Sequence, residues 1–478
     1  MGMMTLKVLS ESEIEKLHKE TLRIFREVGF KVTHEETLQK LKNAGALVNE
    51  ANNLVRIPPE MVNDLLTQAS PNMIQTGLNA KTLNVGGDNR YYTSLIIDPF
   101  IVDYNEGVRR PVLEDVRRHT IIGESLDRIN TMMRMEYPVS DIAEPDSYYK
   151  TMEVFLLNTT KHISVYPTSE ENCRDWMDIM EVIADVAELD IEKTPLMSIA
   201  MAVTSPLQLH GANIEMMKMA MERSYPILST VCPMAGTSSP YSVAGTMQMA
   251  NVEALIPVII TQLYKPGHPV GYGIGPSITD MYNSHDLYYK PEKMLFKIAA
   301  TQMGKFYNLP IFGEAGGTMT WRADIQNGAE SFAYLLASHT GGQNIIAGLG
   351  SLHNANGMSA EQIIMQCGLV DMAEYLARGI DMSEEKMAFD SISKVGPGGH
   401  FLDDDLTMEL LRSNEFFHSD YLDLSGGYDL LAMGTYEIAH NKAEELVRDY
   451  KSNVHEKVQN AVRDFFLKKY HDKKVADK

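Results

Sequence analysis

The chain opens with polar and apolar positions that recur at the helical period. Ser10 and Glu13 form a capping-box pattern, and apolar residues then follow at every third or fourth position. A proline-led segment at residues 58–69 repeats the helical pattern. Between residues 73 and 104, short β-rich runs are separated by turn-forming glycine, proline and asparagine, which predicts hairpins. We therefore assign residues 1–110 to an N-terminal extension of helices and β-hairpins.

From residue 111 to residue 380, amphipathic helices alternate with short apolar runs that are rich in β-branched residues. This alternation is typical of repeated βα units. The eighth strand of a barrel is the least visible, and we expect it at residues 95–102 or beyond Arg378. The other seven predicted strands are the apolar runs at residues 129–137, 161–166, 195–203, 226–231, 269–274, 309–314 and 344–350.

A closed barrel and a doubly wound open sheet both use this alternation. An open sheet normally places a glycine-rich phosphate loop before an early helix, and neither GxGxxG nor GxxxxGK[ST] occurs in the sequence. The prediction is an α/β protein, a TIM (β/α)8 barrel with the N-terminal extension and with C-terminal helices. We expect residues 381–478 to pack on the barrel as a helical segment that ends in a charged helix from about His440 to Tyr470.

Charge and cysteine usage narrow the class of protein. The chain has 43 lysines and arginines against 64 acidic residues, a formal charge of −21, which opposes a nucleic-acid partner. The cysteines Cys173, Cys232 and Cys367 form no CxxC pair, which argues against a disulfide framework or a structural zinc site. The first twenty residues lack an apolar signal region, and no run reaches the roughly 18 uncharged apolar residues of a membrane span. We expect a cytoplasmic protein that is neither exported nor embedded in a membrane.

The ends of the predicted strands are rich in aromatic, methionine and glycine residues and poor in charge. Aromatic faces attract a quaternary ammonium, an interaction worth up to roughly 2 kcal/mol when desolvated. Core packing is the alternative for any single tyrosine or methionine, whereas carboxylates such as Glu136 and Glu314 are rarely buried unless they are paired or used. The predicted substrate-binding residues are Tyr91, Tyr92, Glu136, Tyr137, His162, Tyr166, Met201, Tyr272, Glu314, Thr320, Trp321, Arg322, Gly348, Gly350, His353 and Asn354.

Histidine and cysteine offer weaker signals. His162 and His353 are candidates to bind a carboxylate or a metal, but no HxH, HExxH or two-histidine-one-carboxylate spacing surrounds them, so we expect no metal. His353 is the better ligand contact, because Gly348 and Gly350 let the backbone approach a ligand closely. Cys232 follows a predicted strand and is a conceivable nucleophile. We favour a buried small residue there, since no histidine is near in sequence and an apolar setting raises a thiol pKa.

The order and spacing of several segments resemble the trimethylamine methyltransferase family, in the branch whose members lack pyrrolysine. The resemblance runs nearly end to end and implies a TIM barrel that binds a methylated amine. It also implies transfer of the methyl group to the Co(I) corrinoid of a small partner protein, with no cofactor bound tightly by the barrel. The segments that carry the resemblance are LKNAGALVN, VRIPPEMV, GVRRPVLEDVRRHTIIGESLDRI, VCPMAGTSSPYSVAGTMQMANVEALIPVIITQLYKPGHPVGYGIGP, GEAGGTMTWRADIQNGAES, GLGSLHNANGMS and VGPGGHFL.

One departure from the family pattern bears on the substrate. Trimethylamine-specific members carry pyrrolysine just after a strand, in the region that matches residues 316–320, where this chain has the ordinary residues GGTMT. The resemblance therefore implies a quaternary amine, whose nitrogen leaves as a neutral tertiary amine without needing a proton. Glycine betaine leads, followed by proline betaine, carnitine and γ-butyrobetaine. His353, Asn354, Arg322 or backbone N–H groups are the expected donors to the substrate carboxylate.

Displacement of a methyl group needs mainly positioning, so no residue is predicted as a general acid or base. The expected partners are the quaternary amine and the cognate corrinoid protein, and we expect a homo-oligomer. Two other functions stay open at this point. One is a non-catalytic protein that binds quaternary amines, and the other is a metal-dependent barrel lyase or hydrolase.

Overall fold

The computed structural model describes residues 4–135, 137–144, 146–424 and 433–476. Eight parallel strands close into a barrel in which every strand pairs with its neighbours in chain order. This closed barrel confirms the predicted fold class, and each of the seven predicted runs contains one of the strands. We number the barrel strands β1 Tyr91–Leu95, β2 Thr131–Met135, β3 His162–Tyr166, β4 Met197–Ala202, β5 Ile227–Val231, β6 Val270–Ile274, β7 Ile311–Glu314 and β8 Ile345–Leu349.

The strand whose position was left open in the prediction is β1, which closes the barrel by pairing with β2 and β8. It lies earlier than the expected residues 95–102, so the barrel begins within the segment 1–110 that we had assigned to the extension. Strand β1 ends at Leu95, and the residues that follow lead to Pro99, which has no backbone N–H to donate to a ladder. After this proline, Phe100–Asp103 joins a separate small sheet. Among the described residues beyond Arg378, the regular elements are helices.

A helix follows each barrel strand. Four of these helices begin at a Ser or Asp whose side chain accepts the backbone N–H three residues later, namely Ser169, Ser242, Asp324 and Ser359. These caps fix where the loops at the C-terminal end of the barrel stop. The helices are α1 Leu113–Ser125, α2 Asp146–Asn158, α3 Glu170–Val186, α4 Gly211–Glu222, α5 Val243–Tyr264, α6 Glu292–Phe306, α7 Ile325–Gly341 and α8 Ala360–Ala377.

Helix α5 is the most apolar of the set. In the described part of the chain it is the one helix whose length and composition would suffice to cross a membrane. The same composition suits the core helix of a soluble barrel, and 72% of its most apolar window is buried inside the fold. Its buried residues face the barrel strands β5 and β6 on one side and the N-terminal helix on the other.

The N-terminal extension closes one end of the barrel. Its first helix, Glu11–Glu27, carries the predicted capping box of Ser10 and Glu13 and packs on α5. The hairpin Asn72–Thr76 and Thr82–Gly86 covers the N-terminal mouth, where its apolar side chains pack against those of β5, β7 and β8. The remaining elements of the extension are the helices Glu35–Asn43 and Pro59–Gln68 and a sheet of Phe30–Val32, Leu47–Asn49, Leu54–Arg56 and Gln208–Leu209.

The C-terminal segment adds helices against the outside of the barrel. The charged helix expected from about His440 to Tyr470 is two helices, because the chain turns at residues 450–455. There the Tyr450 hydroxyl donates to the Asn158 carbonyl at the end of α2. The helices of the segment are Glu384–Met387, Phe389–Val395, Asp405–Leu410, Thr435–Asp449 and Glu456–Ala476. Short strands form two small sheets in the loops at the barrel's C-terminal end. One sheet has four strands, in the order Ser351–Leu352, Gly357–Met358, Phe100–Asp103 and Gly107–Arg109. The other pairs Met234–Ala235 with Ser277–Ile278.

Candidate functional site

A cavity of about 430 Å³ lies inside the C-terminal end of the barrel. Every barrel strand contributes to its wall, and the loops after β6 and β8 complete it. This volume is typical of a site for a small ligand. The lining residues are Leu95, Asp98, Met133, Tyr137, Tyr166, Ala200, Thr230, Cys232, Gly273, Ile274, Gly275, Asp286, Tyr288, Phe312, Gly313, Glu314, Ala347, Gly348, Asn354, Ala355 and Asn356.

The wall combines aromatic rings with carboxyl groups. Glu314 ends β7, and its Oε1 is buried without a hydrogen-bond partner among the described residues. Burial, and then the charge of Glu314, hold the pKa of Asp98 well above its usual range, which favours the neutral acid. Burial also raises the pKa of Tyr137 to about 12, so this phenol stays neutral. The site thus offers a buried carboxylate beside neutral aromatic groups, which suits a cation.

The placement of Glu314 depends on a glycine in the neighbouring strand. Gly348 has φ of 87°, and a Cβ built on it would lie 2.5 Å from Cγ of Glu314 and 3.0 Å from Oε1. A side chain at this position would therefore displace the carboxylate as well as strain the backbone. Gly348 was predicted to contact the ligand, and the structure places it against the residue that faces the ligand space.

The loop after β8 is held in an unusual conformation. His353, Asn354 and Ala355 have φ of 39°, 59° and 60°, a region that residues other than glycine rarely adopt. The Asn354 amide oxygen accepts the backbone N–H groups of Tyr288 and Tyr289, and its Nδ2 donates to the Asp286 carbonyl. These bonds tie the loop after β8 to the loop after β6 and hold the Tyr288 ring at the cavity wall.

Two lysines of α6, neither of which was predicted to lie at the site, stand behind the wall between β6 and β7. Lys297 Nζ donates to the Ile274 carbonyl at 2.6 Å, and burial lowers the pKa of Lys297 to about 8. Lys293 Nζ lies 2.8 Å from the ring centroid of Tyr288 and has no acceptor among the described residues. Burial, and then the charge of Lys297, hold the pKa of Lys293 well below its usual range. A basic residue in the first turn of a helix, where the dipole disfavours it, was the available signal.

Five of the predicted binding residues come together at the cavity: Tyr137, Tyr166, Glu314, Gly348 and Asn354. Glu136 lies outside the described residues. Cys232 also lines the cavity, where its side chain is exposed rather than packed as expected. The surface that exposes Cys232 is the wall of a cavity inside the barrel, and the surrounding protein desolvates the thiol and raises its pKa, in the direction we expected.

Two predicted residues lie at the opposite, N-terminal end of the barrel. His162 begins β3, and its ring nitrogens bond the Pro195 carbonyl at 3.0 Å and the Ser198 hydroxyl at 3.1 Å. Burial lowers the pKa of His162 to about 4. Tyr91 begins β1, and its hydroxyl reaches the Asn84 carbonyl in the covering hairpin. The structure gives both residues structural partners far from the cavity.

Three more predicted residues point outward, because side chains alternate along a strand. The Tyr92 hydroxyl bonds His339 Nδ1 at 2.7 Å, and the Tyr272 hydroxyl donates to the Asn251 amide oxygen of α5 at 2.7 Å. Met201 is buried next to Ala200, the β4 residue that lines the cavity. These side chains fill the layer between strands and helices.

The other predicted residues lie in the loops outside the cavity wall. Trp321 and His353 stack with ring centroids 3.9 Å apart. The Arg322 side chain is 83% exposed, and its Nε lies 3.6 Å from Asp324 Oδ2. The Thr320 carbonyl accepts the His353 backbone N–H, while Gly350 forms a turn with φ of 97°.

A cluster of metal-ligand type occurs elsewhere. In the described part of the chain, His34, Glu36 and Glu215 have ligand atoms within 4.8 Å of one another. Lys218 Nζ lies 2.7 Å from Glu36 and 3.1 Å from Glu215, so both carboxylates already have a cation partner. The cluster joins the N-terminal extension to α4 and lies away from the cavity.

Known proteins match this chain over most of its length. The family described as trimethylamine methyltransferase (MTTB) matches residues 1–473. A trimethylamine methyltransferase of Desulfitobacterium hafniense is 27% identical over 92% of this chain and 88% of its own length. A glycine betaine methyltransferase of the same species is 26% identical, covering 93% of this chain and 92% of that protein.

A solved structure, the Methanosarcina barkeri monomethylamine methyltransferase, superposes with a TM-score of 0.51 at 12% identity. The superposition covers 92% of this chain and 89% of that one, and it supports the barrel fold alone. The match to the family extends through the strands and loops that build the cavity. The relatives that resemble this chain are thus methylamine and betaine methyltransferases. The chain belongs to the trimethylamine methyltransferase family.

Proposed function

We propose that this protein transfers a methyl group from a small quaternary amine to the Co(I) corrinoid of a separate partner protein. The observation that carries the proposal is the buried Glu314 carboxylate facing a cavity lined by aromatic rings. Glycine betaine is the first candidate, and proline betaine, carnitine and γ-butyrobetaine follow. The similarity to a glycine betaine methyltransferase supports the choice of substrate. The corrinoid acceptor rests on the family resemblance.

Binding of the amine follows from charge and shape. The Glu314 carboxylate attracts the permanent positive charge of a quaternary ammonium in a setting shielded from water. Tyr137, Tyr166 and Tyr288 line the same cavity and offer aromatic surface to the N-methyl groups. Because the ammonium has no N–H to donate, these contacts fix its position without a specific hydrogen bond. Asp98 in its neutral form adds a polar group without adding repulsion or attraction.

The chemistry asks little of the protein beyond positioning. The corrinoid supplies a Co(I) nucleophile that takes the methyl group, while the electron pair of the broken C–N bond stays on nitrogen. The tertiary amine leaves neutral, so no proton changes hands and no general acid is needed. The residues of the cavity hold one methyl group toward the open end, where the reacting atoms must approach to roughly 3–3.5 Å.

The loops around the cavity support a partner that docks at this end. Apolar residues of the loops and helix starts after β5, β6 and β7 are exposed, among them Tyr241, Met281, Tyr282 and Ile325, of which Tyr282 is 100% and Ile325 is 92% exposed. Exposed apolar side chains grouped on one face mark interaction surfaces. A homo-oligomer and a cytoplasmic location stay predictions.

The direct test is methyl transfer with a panel of amines. The purified protein is mixed with each betaine, or with trimethylamine, and with a reduced corrinoid protein. We expect glycine betaine to yield dimethylglycine, measured by mass spectrometry, in step with loss of the Co(I) absorbance. Binding of betaines without demethylation would instead indicate a non-catalytic amine-binding protein. Loss of activity on chelation would favour a metal-dependent lyase or hydrolase.

A further inference from the structure

Lys293 is the least compensated charged group beside the cavity. It lies in the first turn of α6, where the helix dipole disfavours a positive charge, and its side chain is 2% exposed. Its Nζ has no hydrogen-bond acceptor among the described residues. Buried ammonium groups are normally paired, so a group left in this state points to a ligand that completes it.

The surroundings of the Lys293 ammonium belong to the cavity wall. Its Nζ rests on the ring of Tyr288, and the charges that act on it include Glu314, Cys232 and Asp286, all of which line the cavity. Lys297, the neighbouring cation, already donates to the Ile274 carbonyl. Lys293 is therefore the lysine of this pair whose N–H donors are free to meet a ligand.

A zwitterionic substrate needs such a cation. The cavity wall carries the Glu314 carboxylate, which attracts the ammonium end of a betaine and opposes the entry of its carboxylate. The donors expected from the sequence are engaged or distant. Arg322 is exposed beside Asp324, and the Asn354 amide is bonded to the loop after β6.

We propose that Lys293 pairs with the carboxylate of a quaternary amine and thereby selects betaines over choline-like cations that lack a carboxylate. The inference rests on the proposed function and names the residue that decides its substrate class. In the bound state the ion pair with the carboxylate replaces the contact between the ammonium and the Tyr288 ring. Glu314 holds the opposite, positively charged end of the same molecule.

The test compares binding of glycine betaine and choline, which differ in having a carboxylate or a hydroxyl beside the same trimethylammonium group. Calorimetry without any corrinoid is run on the full chain and on Lys293→Met, which keeps the length of the side chain and removes its charge. We expect Lys293→Met to weaken glycine betaine by at least about thirtyfold and to leave choline unchanged. Lys161→Met, which removes a half-buried lysine at the other end of the barrel, should keep the wild-type preference.

The outcomes separate this inference from the proposed function. Equal weakening of both ligands would assign Lys293 a structural role, and unchanged binding of glycine betaine would also overturn its selection of betaines. In both cases the proposed function would stand. A wild-type protein that binds neither ligand would overturn the proposed function, and the role of Lys293 with it.

A second measurement uses the wild-type protein and does not depend on whether the variant folds. The titratable groups that face Lys293 are Lys297, Glu314, Cys232, Asp286, Tyr288 and Tyr289. Burial holds the pKa of Lys293 down, and a carboxylate bound beside it would raise that pKa. Calorimetry in buffers of different ionisation enthalpy, between pH 7 and pH 9, should show proton uptake with glycine betaine and none with choline. Equal uptake with both ligands would contradict the ion pair.

Discussion

Each end of the barrel holds a lysine, half-buried at the N-terminal end and buried at the C-terminal end, and the difference between these lysines separates structure from function. At the N-terminal end, Lys161 Nζ donates to the carbonyls of Gly123 at 2.7 Å, Leu126 at 2.9 Å and Ile129 at 2.6 Å. At the C-terminal end, Lys293 Nζ has an aromatic ring beside it and no acceptor in the described structure. Burial lowers the pKa of both lysines. A shifted pKa therefore does not distinguish them.

What does distinguish the two ends is the pairing of the carboxylate and the lysine that lie at each. Near the N-terminal mouth, Glu124 accepts from the hydroxyls of Thr159 and Thr160, and His162 is bonded at both ring nitrogens. At the cavity, Glu314 Oε1, Tyr289 Oη and Lys293 Nζ are buried without partners among the described residues. Native proteins leave few such atoms unpaired, and near the N-terminal mouth they include the uncharged Gln75 Oε1 and Tyr225 Oη, whereas at the cavity they include the carboxylate and the lysine.

The largest effect should come from Glu314→Gln. This change keeps the shape of the side chain and removes the charge that attracts the ammonium. We expect glycine betaine and choline both to bind more weakly by about 3 kcal/mol or more, roughly a hundredfold, because a buried cation loses its counter-charge. Calorimetric titration with glycine betaine and with choline measures this loss of affinity.

The matched change at the other end is Glu124→Gln, which alters a carboxylate that is already paired. It should lower the denaturation midpoint and leave betaine affinity as in the wild type. Equal binding by the Glu314 and Glu124 variants would mean that the carboxylate in the cavity does not hold the amine.

For the free energy of unfolding, the change at the N-terminal end should have the larger effect and the change at the cavity the smaller one. Lys161→Met strands three buried carbonyl groups, so we expect a loss of about 2–4 kcal/mol in the free energy of unfolding. Lys293→Met removes a buried amine that has no acceptor, and we expect stability to be unchanged or higher. Urea denaturation followed by circular dichroism measures both. A large loss in Lys293→Met would show that its charge is compensated in the free protein, against the contrast between the two ends.

Acid should lower the stability of the fold through His162 at the N-terminal end of the barrel. Burial lowers the pKa of His162 from 6.5 to about 4, so the unfolded chain takes up a proton before the folded one as the pH falls. The stability due to neutral His162 is present above pH 6.5 and is lost progressively toward pH 4, by about 2 kcal/mol at pH 5. His162→Gln should reduce the drop in denaturation midpoint between pH 7 and pH 5. An unaltered drop would show that other groups, such as His268 and His339, carry the pH dependence.

The barrel could be predicted because its signal is local. Seven strands are marked by apolar runs between helices, and each was found within a few residues of its place. Strand β1 was misplaced because it is short and its partner β8 lies some 250 residues further along the chain, so nothing near it in sequence marks it as a barrel strand. The apolar run also continues past it through Ile96 and Ile97, and a second apolar run follows Pro99, which drew the expected strand toward residues 95–102.

The site was harder, because inward and outward faces alternate along each strand. Tyr272 points to the helices while Gly273 lines the cavity, and Met201 points outward beside the inward Ala200. A shift of one residue in phase exchanges these faces, and the sequence does not fix the phase of a strand that is buried on both sides. Tyr288 was missed for a different reason, since Asn354 brings its loop to the wall from a distant part of the chain.

A smaller change can test how Glu314 is held in place. Gly348→Ala puts a Cβ against the Glu314 carboxylate, whereas Gly267→Ala has a similar φ, 81° against 87°, with nothing within 4 Å of the new atom. Both should lose about 1–2 kcal/mol of stability, because an L-residue is strained in the left-handed region. Only Gly348→Ala should also weaken glycine betaine, by roughly tenfold, or about 1.4 kcal/mol, through displacement of the carboxylate. Equal betaine affinity in the two variants would mean that the carboxylate finds its position without Gly348, so the strain at this glycine would serve the turn rather than the site.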